Sequence, residues 1–235
     1  MSAIAGTPLQ QLVLENPRFA ATLDRFGLDF CCHGSQSLAQ ACERAGVALQ
    51  EVERALDEVK GGPGEHWSGG APGDLISHIE AVHHAYLYRE LPDLVALATK
   101  VRGAHGDAHP ELATVQEIVR RLQDDLVPHM RKEDLVLFPA IRALEEGPST
   151  FGFGTIANPI AVMTAEHETV GAALKQLRAV TGGYTVPDDA CTSYRVLYQR
   201  LGELETDTHI HVLEENSVLF PAARELEAGY LSATV

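Results

Sequence analysis

Two stretches of the sequence carry the same pair of metal-capable residues at the same spacing. In "HMRKEDLVLFPAIRALE", residues 129–145, His129 stands four residues before Glu133. In "HVLEENSVLFPAARELE", residues 211–227, His211 stands four residues before Glu215. Phe138-Pro139 answers Phe220-Pro221, Arg142 answers Arg224 and Leu144 answers Leu226, each at an offset of 82 residues. On a helix, positions i and i+4 share a face one turn apart, so each motif aims an imidazole and a carboxylate at one spot. One His-x-x-x-Glu is a common helical pair. Two copies in register mark a duplicated helical hairpin.

Each copy has a further histidine upstream. His167, in "MTAEHETV", precedes His211 by 44 residues, and His84, in "IEAVHHAYLY", precedes His129 by 45. That match favours His84 over its neighbour His83. The latter lies about 100° round the helix and is expected to be exposed or outside the first ring of groups. Four imidazoles and two carboxylates pointing inward would be very costly without a cation. Two ions use the whole set, with Glu133 and Glu215 bridging and two histidines on each ion. Imidazole with carboxylate suits iron, with zinc or manganese as alternatives. An added oxo or hydroxo bridge (Fe-O-Fe or Fe-OH-Fe) gives each iron five ligands. The sixth position is then open to O₂ or NO.

Four long helical patterns position these groups, roughly over 74–102, 111–146, 159–180 and 189–227. Gly- and Pro-containing stretches separate them, and short strand-like alternation is absent, so the expectation is an all-α four-helix bundle. Pro128 precedes His129 inside one pattern, where it removes a backbone hydrogen bond and threatens a kink. The stretch "GGPGEHWSGGAPG", residues 61–73, reads as a linker. It divides the chain into a helical N-terminal module, 1–60, and the bundle, 74–235. In the module, Thr7 and Pro8 predict one helix start, Pro17 another, and Ser35 or Ser37 a third that Gly46 ends. Leu49, Val52, Leu56 and Val59 give a fourth helix its apolar spacing. Cys31 and Cys32 fall between two of these helices.

The chain has 235 residues, enough to bury a core without staples. Its net charge of −15 argues against nucleic acid as a partner, since a phosphate backbone would repel it. No apolar run is long enough for a membrane span, and the first residues lack a secretion signal, so a cytoplasmic, membrane-free protein is expected. Four cysteines without scaffold spacing suit a reducing compartment.

At these residues the chain resembles the hemerythrin-like proteins, and among them the di-iron family known for repair of iron centres. "GLDFCCHGSQSLAQAC" looks like that family's N-terminal Cys-Cys module. "HMRKEDLVLFP", "NPIAVMTAEH" and "HVLEENSVLFP" look like its iron-binding segments, and "ACTSYRVLY" also resembles a family stretch. The resemblance implies a hemerythrin-like bundle holding two non-haem irons on His84, His129, Glu133, His167, His211 and Glu215. It implies protection or repair of damaged iron–sulfur proteins under oxidative and nitrosative stress, reaction with NO, and an electron donor as partner. It also implies a functional Cys31-Cys32 pair docked near the iron domain. One departure is His33, where the family usually shows Gly after Cys-Cys.

Neighbouring cysteines are poorly placed for a mutual disulfide, and packing beside Phe30 is their plain role. Their place before a helix start predicts a stabilised thiolate. Asp125, one turn before His129, is a candidate acceptor for a ligand imidazole, and Glu166, beside His167, a candidate for lining an access path or moving protons. His209 should face away from the cluster, and His78, His105 and His109 have no partner in the repeat. Tyr86, Tyr88, Tyr194 and Tyr198 read as core, and Cys42 and Cys191 as buried small residues. The principal reading is a stress-response repair protein that reacts with or reduces NO as a di-iron oxidoreductase. The alternative is reversible O₂ or NO binding, as a carrier or sensor without turnover. A ferroxidase reading falls because ferritin-like sites use Glu-x-x-His instead.

Overall fold

The structure, a computed structural model, describes residues 4–59 and 70–233. Most of the linker stretch lies outside these residues. Its end does not: Pro72 and Gly73 already belong to a helix, with proline at the first position where its missing N–H is harmless.

Among the described residues the chain is helical and has no strand. Four short helices come first: α1 (Leu9–Glu15), α2 (Phe19–Arg25), α3 (Leu38–Ala45) and α4 (Leu49–Asp57). The first begins one residue later than the Thr7–Pro8 signal predicts, with Pro8 in an extended cap conformation. Ser37 caps α3 through a reciprocal pair with Gln40, and Gly46 ends it at φ 68°, a left-handed conformation that suits glycine.

The bundle follows as α5 (Pro72–Ile79), α6 (Ala85–His105), α7 (Leu112–Lys132), α8 (Phe138–Glu146), α9 (Ala157–Val180), α10 (Thr192–Glu214) and α11 (Phe220–Ala233). Three five-residue π turns, Glu80–His84, Glu133–Leu137 and Glu215–Leu219, join α5 to α6, α7 to α8 and α10 to α11. The four predicted patterns are therefore four long rods, three of which contain a π turn. Two of these turns precede Phe-Pro. A proline lacks the N–H for an i−4 bond and collides with that carbonyl in a regular helix. Widening the turn just before it relieves the conflict, and Phe138 and Phe220 donate to the carbonyls of Glu133 and Glu215. The Glu80–His84 turn has no such proline behind it. Pro128 does not break α7, which runs on to Lys132 and delivers His129 with the other ligand candidates.

Apolar side chains fill the bundle in two blocks. One contains Leu87, Leu94, Val119, Met130, Leu174, Tyr198 and Leu204. The other contains Ile76, Phe138, Ile160, Leu219 and Phe220. His84, His129, Glu133, His167, His211 and Glu215 lie along the rods between these blocks. The first four helices have their own core around Leu9, Leu23, Phe30, Leu38 and Val52, which Val212 and Leu213 of α10 complete. The cysteine-bearing segment is thus packed onto the helix that carries His211.

Candidate metal centre

The six predicted residues come together. His84, Glu133, His211 and Glu215 form one group of mutually close ligand atoms, and His129, Glu133, His167 and Glu215 form another. Both glutamates belong to both groups. Glu133 directs Oε2 toward His84 Nε2 at 3.4 Å and Oε1 toward His129 Nε2 at 3.2 Å. Glu215 directs Oε1 toward His211 Nε2 at 3.1 Å and Oε2 toward His167 Nε2 at 3.0 Å. Each carboxylate therefore offers one oxygen to each group, which is bridging geometry. All six residues are at most 2% exposed.

Hydrogen bonds behind three of the four imidazoles decide which nitrogen faces inward. His84 Nδ1 donates to Asp134 Oδ1 at 2.7 Å, and Tyr88 holds the other Asp134 oxygen at 2.9 Å. His167 Nδ1 donates to Asn216 Oδ1 at 3.1 Å, and His129 Nδ1 donates to Glu166 Oε2 at 2.9 Å. An acceptor at Nδ1 holds a proton there and turns Nε2 inward, where its lone pair can serve a cation. Yet Nε2 of His84 faces Nε2 of His211 at 3.2 Å, and Nε2 of His167 faces that of His129 at 3.1 Å. Both Glu133 oxygens and Glu215 Oε2 accept no hydrogen bond although fully buried. Converging imidazole nitrogens and orphaned carboxylate oxygens are what a pair of cations would satisfy. The residues fit a di-metal centre, and their nitrogen and oxygen donors suit iron.

The titration of the metal-free groups follows the same logic. Burial lowers the His84 and His129 values. For His84, the Asp134 carboxylate that accepts from Nδ1 and the nearby Glu133 carboxylate outweigh that and push it up to about 10. For His129, the charge of the adjacent Glu133 carboxylate pushes it up to about 9. Burial raises Glu215, but His211 and His167 hold it well below the usual carboxylate range. His211 is lowered, chiefly by burial.

The duplication extends past the six. Asp134 and Asn216 follow Glu133 and Glu215, at the same offset of 82 residues, and each orients the histidine of an upstream helix. Phe138 stacks on His84 with centroids 5.5 Å apart, and Phe220 stacks on His167 at 5.9 Å. Sequence reasoning missed Asp134 and Asn216, although the repeat alignment contained them. The carboxylate behind His129 is Glu166, not Asp125. Glu166 also pairs with Lys132 and is partly exposed. His83 is not an exposed residue: it is 4% exposed, donates to Asp207 at 2.9 Å and stacks on His211. His209 faces away from the centre as expected, toward Asp24 of α2 at 2.7 Å.

Cys31 and Cys32 lie in a cleft of about 280 Å³ between residues 24–33 and α9 and α10. Their sulfurs are 3.7 Å apart and both thiols are free. A Cβ at Gly171, one turn beyond His167 on α9, would stand 3.9 Å from the Cys32 sulfur. Cys32 therefore lies against α9 one turn along the helix from His167. Gly34 lets the segment close tightly, because a Cβ there would sit 2.1 Å from the Phe30 carbonyl oxygen. The predicted thiolate does not arise at Cys31. Its hydrogen bond to Cys32, its burial and the Asp29 carboxylate all push its thiol value well up. Asp29 Oδ1 accepts the N–H groups of Cys31, Cys32 and His33, and Oδ2 holds His33 Nδ1 at 2.7 Å. Cys42 is buried, but Cys191 is exposed at the start of α10, where the chain has just left a loop.

The family described as Hemerythrin HHE cation binding domain matches residues 75–223. A domain of unknown function, DUF542, matches residues 5–60. Proteins named iron-sulfur cluster repair protein YtfE, from an Enterobacter species and from Escherichia coli O157:H7, are each 34% identical to this chain over 223 residues. The matched segment covers 94% of this chain and 98% of each relative. The chain belongs to the family of hemerythrin-like iron–sulfur cluster repair proteins. The relative from Cronobacter sakazakii is also 34% identical, with 97% of its length covered. No helix among the described residues is long and apolar enough to cross a membrane.

Proposed function

We propose that this chain is a cytoplasmic non-haem di-iron protein that repairs or protects iron–sulfur clusters under nitrosative and oxidative stress. The observation that carries the reading is the pair of bridging carboxylates, each with one oxygen turned to each pair of Nε2 atoms. Its ligands are His84, His129, Glu133, His167, His211 and Glu215. The names of its relatives support iron–sulfur cluster repair as the process it serves. Residues 1–60 act as a thiol-bearing module beside the bundle.

When bound, the two irons would supply two electrons and binding sites for small ligands such as NO. The chemistry we assign is 2 NO + 2 e⁻ + 2 H⁺ → N₂O + H₂O, with an electron-donating partner restoring the iron. The chain's own residues do the rest. Asp134, Asn216 and Glu166 fix the imidazoles of His84, His167 and His129 so that Nε2 faces inward. Phe138 and Phe220 close the apolar side of the centre against water. Glu166 is partly exposed and touches both Lys132 and His129. It is the group placed to pass protons between solvent and the centre. Cys31 and Cys32 hold two thiols in a cleft against α9, one turn along from His167, where iron, NO or electrons are exchanged with a damaged cluster.

The test is anaerobic reaction of the reduced, iron-loaded chain with NO, with and without the Cys31→Ala/Cys32→Ala double substitution. One N₂O per two NO supports the reading. NO uptake without N₂O would make the chain a binder or sensor instead. Reactivation of a damaged [4Fe–4S] dehydratase should fall in the double variant, while its iron content stays unchanged.

A further inference from the structure

A second cluster, outside the six ligands, is built in the same way. Glu214 precedes the bridging Glu215, is 3% exposed, and its Oε2 accepts no hydrogen bond. His83 Nε2 stands 3.6 Å from that oxygen, and His78 Nε2 stands 3.5 Å from Glu214 Oε1. The three residues offer ligand atoms that all lie within 4.8 Å of one another. Two ligand atoms each about 2.1 Å from a tetrahedral ion are about 3.4 Å apart, close to both separations. Behind His83, Nδ1 donates to Asp207 Oδ1 at 2.9 Å, which turns Nε2 toward Glu214. This is the arrangement that Asp134 imposes on His84.

The backbone supplies a reason for the meeting. Residues five apart on an α-helix lie about 140° apart round the axis. His78 and His83 are five apart, yet their rings are 5.8 Å from centroid to centroid. The π turn at Glu80–His84, which lacks a proline to explain it, widens the helix between them. It swings His84 into the di-metal centre and His83 toward His78.

The cluster leads from the surface to the centre. The His78 side chain is 23% exposed, whereas those of His83 and Glu214 are 5% and 4% exposed. The inner end is the His83 ring, stacked on His211 with centroids 5.6 Å apart and planes within 9°. We propose that His78, His83 and Glu214 form a third divalent-metal site, a way-station between solvent and the position held by His84 and His211. The proposal rests on the di-iron reading above. Two imidazoles and one carboxylate take a ferrous- or zinc-class ion, with water filling the remaining positions. With three protein ligands and no bridge to a second ion, the site binds more weakly than the centre, as a transfer point requires.

The test is an anaerobic titration of the metal-free full chain with Co²⁺, followed by calorimetry and visible absorption. The expected result is two tight ions and a third at least tenfold weaker. His78→Ala should keep the two tight ions, lose the third, and slow release of the tight ions to a chelator at least fivefold. Glu214→Gln should also lose the third ion. Saturation of the unaltered chain at two ions would overturn the site, as would a third ion that survives both substitutions. An unchanged release rate in His78→Ala would overturn the way-station. Fewer than two tight ions would overturn the di-metal reading, and this proposal with it.

Discussion

Asp134→Ala removes the carboxylate that holds His84 Nδ1 at 2.7 Å and receives Tyr88 at 2.9 Å. Asp134 touches no ligand atom of the centre, so its loss acts only through the His84 imidazole. That ring would keep its stacking on Phe138 but lose the acceptor that fixes its tautomer. Loss of such a partner typically weakens metal binding about 10- to 100-fold, or roughly 1.4–2.7 kcal/mol. His84 belongs to one of the two ligand groups, so one ion should weaken and its neighbour on His129 and His167 should not. Asp134→Asn should be mild, because an amide oxygen already does this work at Asn216. Tyr88→Phe should cost less still, since the carboxylate stays. Competition of the Fe²⁺-loaded chain against a chelator, read as two affinities, makes the comparison. Equal weakening of both ions, or no weakening of either, would refute the reasoning.

Metal loading at pH 7 should release about two protons, because His84 and His129 stay protonated up to about 10 and 9 and a bound ion needs their bare Nε2. Affinity should rise from pH 7 toward pH 9–10; calorimetry in buffers of different ionisation enthalpy counts the protons, and none released would contradict it. In the metal-free chain these raised values stabilise the fold fully below the ordinary 6.5, and that stability is lost as pH rises through 9–10. Phe138→Ala, at a fully buried site, should cost about 3–5 kcal/mol in denaturant unfolding. Iodoacetamide at pH 7.5 should label exposed Cys191, whose thiol value is lowered by N–H donation from Tyr194 and by His105, well before buried Cys31. Labelling of Cys31 first would contradict the arrangement of the cleft.

The centre was legible because its ligands are duplicated. His129 and Glu133 recur as His211 and Glu215, and helical periodicity places each pair on one face. The four rods were legible for the same reason, since their apolar spacing is long and regular. Periodicity misleads where the helix leaves its usual pitch. A turn of 100° per residue separates His83 from His84 and gives no meeting of His83 with His78. The π turn at Glu80–His84 supplies the extra width, and its local sequence carries no proline signal. Partners across the bundle were also hidden. Asp125 lies one turn from His129 in sequence, but Glu166 on α9 reaches its Nδ1. At Cys31, proximity to a helix start suggested a thiolate, whereas burial and the neighbouring Asp29 and Cys32 oppose it. Such effects depend on which elements pack together, and no local pattern encodes them.

The most direct test of the di-iron account is the iron content of the full chain after anaerobic loading and removal of loosely bound metal, with Mössbauer spectra of the oxidised form. The account predicts two irons per chain in one spin-coupled pair, and loss of that pair in Glu133→Ala and Glu215→Ala. One iron, none, or two uncoupled irons would contradict it.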